Sequence, residues 1–286
     1  MDKYFEKQYR RLPSMKMGLK DFIKNSILLK PCDTKMSAPK CASKIGGKPD
    51  LPYNFEWYTY KDSDGKVYPL SFMAQINLEE VHLLDKDKLL PDKGMLYFFY
   101  ELETMNIGCS PKEKGSAKVF YYEGGIDSLV PADFPDDLDE GYRLPEFVIK
   151  MDDRQELPFC EEYNELTGMH ADYEEYNRLK AQEMMLYPDE EIHKLLGYAD
   201  LVQGSMLVAC EMLDNGIYIG DFGHLKVKPK YMDKASEWQL LLQMDTVSND
   251  DYELMFGDCG RIYFYIKKED LRRRNFDNIW LISQCC

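Results

Sequence analysis

Seven residues have side chains suited to a polar or nucleophilic site and stand where a strand or turn could present them: Gln75, His193, Trp238, Gln243, Asp245, Asp258 and Cys259. Gln75 in "LSFMAQIN" and Gln243 in "SEWQLLLQMD" occupy the same step of two similar apolar segments. If two such strands faced each other, Gln75, Gln243 and Asp245 would converge on a ligand in a cleft. The competing reading is structural. A buried amide needs partners, and a neighbouring backbone or its own counterpart across a pseudo-twofold axis would supply them. Cys259 lies in "GDCGR", between two glycines. An exposed thiol there, brought next to His193, would make a nucleophile; a small residue filling a tight turn is the simpler reading.

Recognised catalytic patterns are missing. The chain has no G-x-S-x-G, no phosphate-binding G-x-x-x-x-G-K-[ST], no H-E-x-x-H and no dinucleotide glycine fingerprint. His82, His170, His193 and His224 form no i, i+4 pair, so no helical metal site and no cofactor are expected. Asp62-Ser63-Asp64-Gly65 begins like a calcium loop, but Lys66 stands where the next ligand belongs and the closing glutamate is absent. No catalytic residue is assigned.

Positioning these residues requires a sheet. "LSFMAQIN", "GMLYFFYEL", "KVFYYEGG", "EWQLLLQMD", "GRIYFYIKKEDL" and "IWLISQ" read as strands, as does "GSMLVACEML", with Asp64-Gly65 and Asn215-Gly216 as turns. Strict alternation places Phe72, Ala74 and Ile76 on one face and Met73, Gln75 and Asn77 on the other, so each glutamine is expected on the polar face of a half-buried strand. The landmarks recur in order. "KIGGKPDLP", "LSFMAQIN" and "GMLYFFYEL" precede "KLLGYADLVQG", "EWQLLLQMD" and "GRIYFYIKK". The step from glutamine to the later glycine is 19 residues in the first series and 17 in the second. This suggests one β-rich unit written twice, at about residues 41–130 and 191–286. Residues 1–40, with "KYFEKQYRRL" and "MGLKDFIKNSILL", read as an N-terminal helical arm. Residues 131–190 read as an acidic insert carrying one long helix that Pro188 ends. The fold class expected is α+β, mainly antiparallel, with residues 41–286 as a single domain.

Composition narrows the setting. The chain has 286 residues, 44% of them hydrophobic and 13% aromatic, and a net charge of −15. Phosphate backbones repel such a chain, so nucleic acid is not an expected partner. No stretch reaches the ~18 apolar residues of a membrane span, and no secretion signal opens the sequence. Eight cysteines without a C-x-x-C pair fit a reducing cytoplasm. Between Asp133 and Glu191, 19 acidic residues face 5 basic ones, which places −14 of the charge in one block. The block reads either as a solvated surface or as a docking face for a basic protein.

"HKLLGYADLVQGSM", "EWQLLLQMD … MFGDCGRIYFYIKKEDL", "SKIGGKPDLP" and "PLSFMAQINL" together resemble the YwqG-like family, a bacterial domain of unknown function. Ala199 and Leu201 depart from prolines expected there. The resemblance implies a duplicated, largely antiparallel α+β fold and brings no mechanism. The function expected is that of a non-enzymatic interaction protein, immunity-like towards a basic partner through residues 133–191. The alternative is an enzyme or small-ligand binder with a cleft between the two duplicated sheets.

Overall fold

The alternating aromatic and aliphatic segments pair into one sheet rather than two. The computed structural model describes residues 19–32, 37–184, 192–220 and 229–286. Its strands are β1 (Lys24–Pro31), β2 (Lys44–Ile45), β3 (Asp50–Pro52), β4 (Thr59–Lys61), β5 (Val67–Pro69), β6 (Ser71–Asn77), β7 (Met95–Tyr100) and β8 (Ala117–Tyr122), followed by β9 (Leu129–Pro131), β10 (Phe147–Glu156), β11 (Lys194–Leu196), β12 (Trp238–Met244), β13 (Val247–Asn249), β14 (Tyr252–Leu254), β15 (Arg261–Lys267) and β16 (Ile279–Gln284). The α-helices are α1 (Leu78–Val81), α2 (Cys160–Thr167), α3 (Tyr173–Met184), α4 (Leu207–Asp214) and α5 (Lys268–Arg272).

Ten strands form the main sheet in the order β16-β15-β12-β11-β1-β10-β2-β6-β7-β8, and every neighbouring pair is antiparallel. The edge strands β16 and β8 come back towards each other, and Ser283 N donates to Ile107 O (2.9 Å) in the loop before β8. The sheet is therefore nearly closed. Its inner face holds Ile27, Leu29, Ile76, Leu96, Leu242, Ile262 and other apolar side chains. Phe98 of β7 and Phe264 of β15 meet edge to face there, with ring centroids 5.3 Å apart. This inner position of Ile262, Phe264 and Ile266, with Tyr263 and Tyr265 outward, follows the period-two pattern of the sequence.

The outer face is covered as well. Tyr60, Tyr68, Leu51 and Leu129 lie over Phe72, Tyr97 and Phe99. Helix α4 lies over Trp238, Leu240, Tyr263 and Tyr265. Every residue of β6 and β12 is consequently buried, whereas the alternation predicted half-buried strands. The face assignment is corrected too. A β-bulge lies between Phe72 and Ala74, and another between Leu240 and Leu242. One extra residue reverses the alternation. Phe72 therefore shares the outer side with Tyr97, while Ala74 and Ile76 enter the interior.

Three segments differ from expectation. The arm predicted as helical contains β1, a central strand, because Ile27, Leu28 and Leu29 are buried on both faces and such a run carries no periodicity. Residues 1–18 lie outside the described residues. The acidic insert contains β10, paired with β1 from Lys24↔Glu156 to Pro31↔Ile149. Its charges hid it, although Lys150 and Asp152 point to solvent while Arg154 and Glu156 are buried and paired. The single long helix is two, α2 and α3, separated where Gly168 (φ +66) caps α2 in the left-handed conformation; Pro188 lies outside the described residues. Finally, "GSMLVACEML" is largely helix α4, not strand: its apolar run is buried all round, which fits either element.

Replacing Phe264 by Ala empties the centre of this interior. The expected loss is about 3–5 kcal/mol of unfolding free energy in urea titration. A loss under about 1 kcal/mol would contradict a packed interior.

Candidate functional site

Each glutamine is held by a loop that follows the strand beside it. Gln75 Oε1 accepts from Asp50 N (2.8 Å), and its Nε2 donates to Ala42 O (2.9 Å) and Asp50 Oδ2 (2.9 Å). Gln243 Oε1 accepts from Asp200 N (2.8 Å), and its Nε2 donates to Ile192 O (2.9 Å) and Asp200 Oδ2 (3.0 Å). The same atoms make the same three bonds in both places. A cross-strand tyrosine completes each set: Tyr97 and Tyr263 donate their hydroxyls to the carbonyls of Asp50 and Asp200. Both phenols are buried, which pushes them well above the ordinary tyrosine range. Strands β11, β1, β10 and β2 lie between β12 and β6, so the two amides do not meet, and their strands belong to one sheet rather than to two that face each other.

Beside each glutamine stands a lysine, Lys44↔Gln75 and Lys194↔Gln243 in register. Lys44 Nζ donates to Glu146 Oε2 (2.6 Å) and Lys48 O (2.7 Å). Lys194, fully buried, reaches Asp200 Oδ2 (2.7 Å) and both oxygens of Glu156 (3.1 Å). Arg154 adds Nε (3.0 Å) and Nη2 (2.9 Å) to Glu156 Oε2, and Tyr198 N donates to Oε1 (2.7 Å). Two cations thus balance two carboxylates. Burial opposes charge on Asp200 and Glu156, but Lys194 and Arg154 outweigh it and hold both carboxyls below their usual range.

The turn between lysine and aspartate needs room for the glutamate. A Cβ on Gly197 (φ +71) would stand 2.1 Å from Glu156 Oε1, and one on Gly47 (φ +68) 2.8 Å from Glu146 Oε2. The residues before them, Leu196 (φ +61) and Gly46 (φ +63), are also left-handed.

Of the candidate residues, His193, Gln243 and Asp245 come together. His193 Nδ1 accepts from Asp245 N (3.2 Å), while its buried Nε2 has no partner among the described residues. Asp245 Oδ1 accepts from Thr246 N, and its Oδ2 accepts from Ile192 N and Arg261 Nε. Arg261 Nη1 continues to Asp200 O (3.2 Å). Burial pushes the His193 imidazole down to about 4, against the raising effect of Asp245. Gln75 belongs to the other set. Trp238 lies under α4, its Nε1 donating to Glu211 Oε2 (3.0 Å). Asp258 and Cys259 sit in the turn before β15, and the Cys259 thiol is exposed, with Asp258 pushing it up rather than towards thiolate. Lys44, Glu146, Arg154, Glu156 and Lys194 were not among the candidates. The spacing Lys-x-x-Gly-x-x-Asp, in "KIGGKPD" and "KLLGYAD", is the signal that marks the lysine and aspartate of each set. Nothing around Glu156 marks it, because its role arises from strand pairing.

A family model matches residues 43–285, a span that includes both sets. The chain belongs to the family described as Domain of unknown function (DUF1963). No curated protein matches it. The matched span starts after β1, although β1 joins β11 to β10 at the middle of the sheet.

Lys194→Met leaves Glu156 and Asp200 buried without their shared cation, and the expected cost is about 3–5 kcal/mol by chemical denaturation. Lys66→Met, at the exposed pair with Glu103, should change stability far less, because solvent screens that pair. Equal costs would contradict the assigned role. His193 gives a pH signature. Between pH 6.5 and 4 the unfolded chain binds a proton that the folded imidazole refuses, so stability falls as pH drops through that window. A His193→Asn variant should lose a component on the order of 3 kcal/mol from that decline; an unchanged slope would show that another group carries it.

Proposed function

We propose that this protein is a non-enzymatic binding protein whose exposed acidic loop meets a basic polypeptide. One observation carries the reading. Asp133, Asp136, Asp137, Asp139 and Glu140 are all exposed within eight consecutive residues, and Lys48–Asp133 is the one ion pair these five make among the described residues. Glu156 and Asp200, by contrast, are paired with Lys194 and Arg154 inside the fold. A concentrated exposed charge of one sign steers association and sets specificity. The narrow form of this reading is an immunity-like protein that neutralises a basic client. A cytoplasmic setting is supported by the eight free cysteines. No helix among the described residues is long and apolar enough to cross a membrane.

The scaffold itself we read as two copies of one unit, with the narrower YwqG-like placement resting on the same segments. Support comes from the matched glutamine bonds, the two bulges at the same step, and a strand order in which β16-β15-β12-β11 mirrors β8-β7-β6-β2.

Deleting residues 133–191 would remove β10, so a charge-neutral variant is the better test. Asp133→Asn, Asp136→Asn, Asp137→Asn, Asp139→Asn and Glu140→Gln together keep the acceptor that Asp139 offers Gly141 N (2.8 Å). Cross-linked affinity capture from the native cell should recover a basic polypeptide attached at this loop with the wild type and lose it with the variant. Recovery of the same partner by both proteins, or of none by the wild type, rejects the proposal.

A further inference from the structure

Strands β15 and β16 run side by side as far as Arg261↔Gln284. Past that step, Cys286 N donates to Asp258 O (3.0 Å), which fastens residue 286 beside Cys259. With standard bond lengths, this hydrogen bond keeps the Cα atoms of Cys259 and Cys286 within about 7 Å of each other. A disulfide joins Cα atoms roughly 4.4–6.8 Å apart. The backbone therefore brings two cysteines from separate segments to bridging range.

Exposure singles out the same two residues. Cys259 and Cys286 are the exposed cysteines among the described residues, whereas Cys41, Cys109, Cys160 and Cys210 are buried and Cys32 and Cys285 are half-buried. Cys285 packs into the turn instead, its Sγ 2.9 Å from where a Cβ on Gly257 would stand. Asp258 pushes the Cys259 thiol up, and partial desolvation and the Cys286 thiol add to the effect. That last contribution is what two neighbouring thiols exert on each other. Thiolate, not thiol, attacks a disulfide, so Asp258 holds Cys259 back and leaves the first attack to Cys286.

We propose that Cys259 and Cys286 are a redox modification site that closes into a reversible disulfide, with a small disulfide of the glutathione class as oxidant. Cys286 loses its proton and attacks one sulfur of the oxidant, releasing one small thiol and leaving a mixed disulfide on Cys286. Cys259 then loses its proton and attacks the Cys286 sulfur, which releases the second small thiol. Two electrons pass from the two protein thiols to the oxidant, and the two protons leave on the released thiols. The bridge pins the end of β16, and that strand holds two other segments. Ser283 N donates to Ile107 O (2.9 Å) at the seam of the sheet. Gln284 Oε1 accepts from Val202 N (3.2 Å) and Gln203 N (3.0 Å), and its Nε2 donates to Gly204 O (2.9 Å). Oxidation thus secures the seam and the loop after β11 together. The inference does not depend on the acidic-loop reading, since it uses none of those residues.

The test is incubation of the full chain with oxidised glutathione, alkylation of the remaining thiols, and peptide mapping by mass spectrometry. The main product should be a Cys259–Cys286 linkage that dithiothreitol reverses, with slower amide exchange at Val202, Gln203 and Ser283 in the oxidised chain. Cys259→Ser should accumulate glutathione on Cys286, and Cys285→Ser should form the linkage as the wild type does. Asp258→Asn should speed closure at least about threefold at neutral pH. Asp258 and Cys259 are both exposed, so these two variants leave the core untouched. Glutathione adducts without the internal bridge, linkage of Cys259 to Cys285, or bridges only between two chains overturn the proposal.

Discussion

Lys194 is a cation with no access to water, and much of the second half of the molecule is arranged around it. A buried ammonium needs carboxylates, which arrive from β10 as Glu156 and from the loop after β11 as Asp200. Those carboxylates in turn need every remaining lone pair occupied. Arg154, Tyr198 N and Gln243 provide the partners, and Gly197 leaves the space that Glu156 fills. Gln243 is thus the amide that locks a charged loop onto a strand. Removing any one member exposes the others to the cost of unpaired burial.

The same logic runs more weakly around Lys44. Its glutamate, Glu146, is partly solvated, and the aspartate of that set, Asp50, answers to Cys41 N as well as to Gln75. Both sets lie on the outer face of a nearly closed sheet whose interior is mainly apolar, so most of the polar specification and the hydrophobic packing occupy opposite sides of the same strands. The bulges at Met73 and Leu241 make this possible. Each turns one stretch of its strand inwards and aims the glutamine outwards two residues later.

The legible parts of the fold were those with strong period or turn chemistry. β7, β8, β15 and β16 stand where alternating aromatics placed them, and Asp62 closes the Asp64-Gly65 turn by accepting from Asp64 N and Lys66 N (both 2.9 Å). β1 and α4 were illegible because complete burial erases amphipathic period. β10 was illegible for the opposite reason: its charged residues look solvated until β1 is placed beside them. At the site, the sequence suggested Gln75 beside Gln243 and Asp245, and His193 beside Cys259; the fold instead groups His193 with Gln243 and Asp245, and Glu156 and Arg154 join from a strand remote in sequence.

The sequence alone determined an acidic, sheet-rich chain, with matching apolar strands that each carry a glutamine at the same step. It also held the Lys-x-x-Gly-x-x-Asp spacing, since local turn chemistry and side-chain type are written residue by residue. Tertiary structure alone decided that both glutamines are buried, that four strands lie between theirs, and that each clasps an aspartate. The reason is that a hydrogen bond or ion pair between distant segments depends on strand order, and strand order is settled by which faces can be buried together.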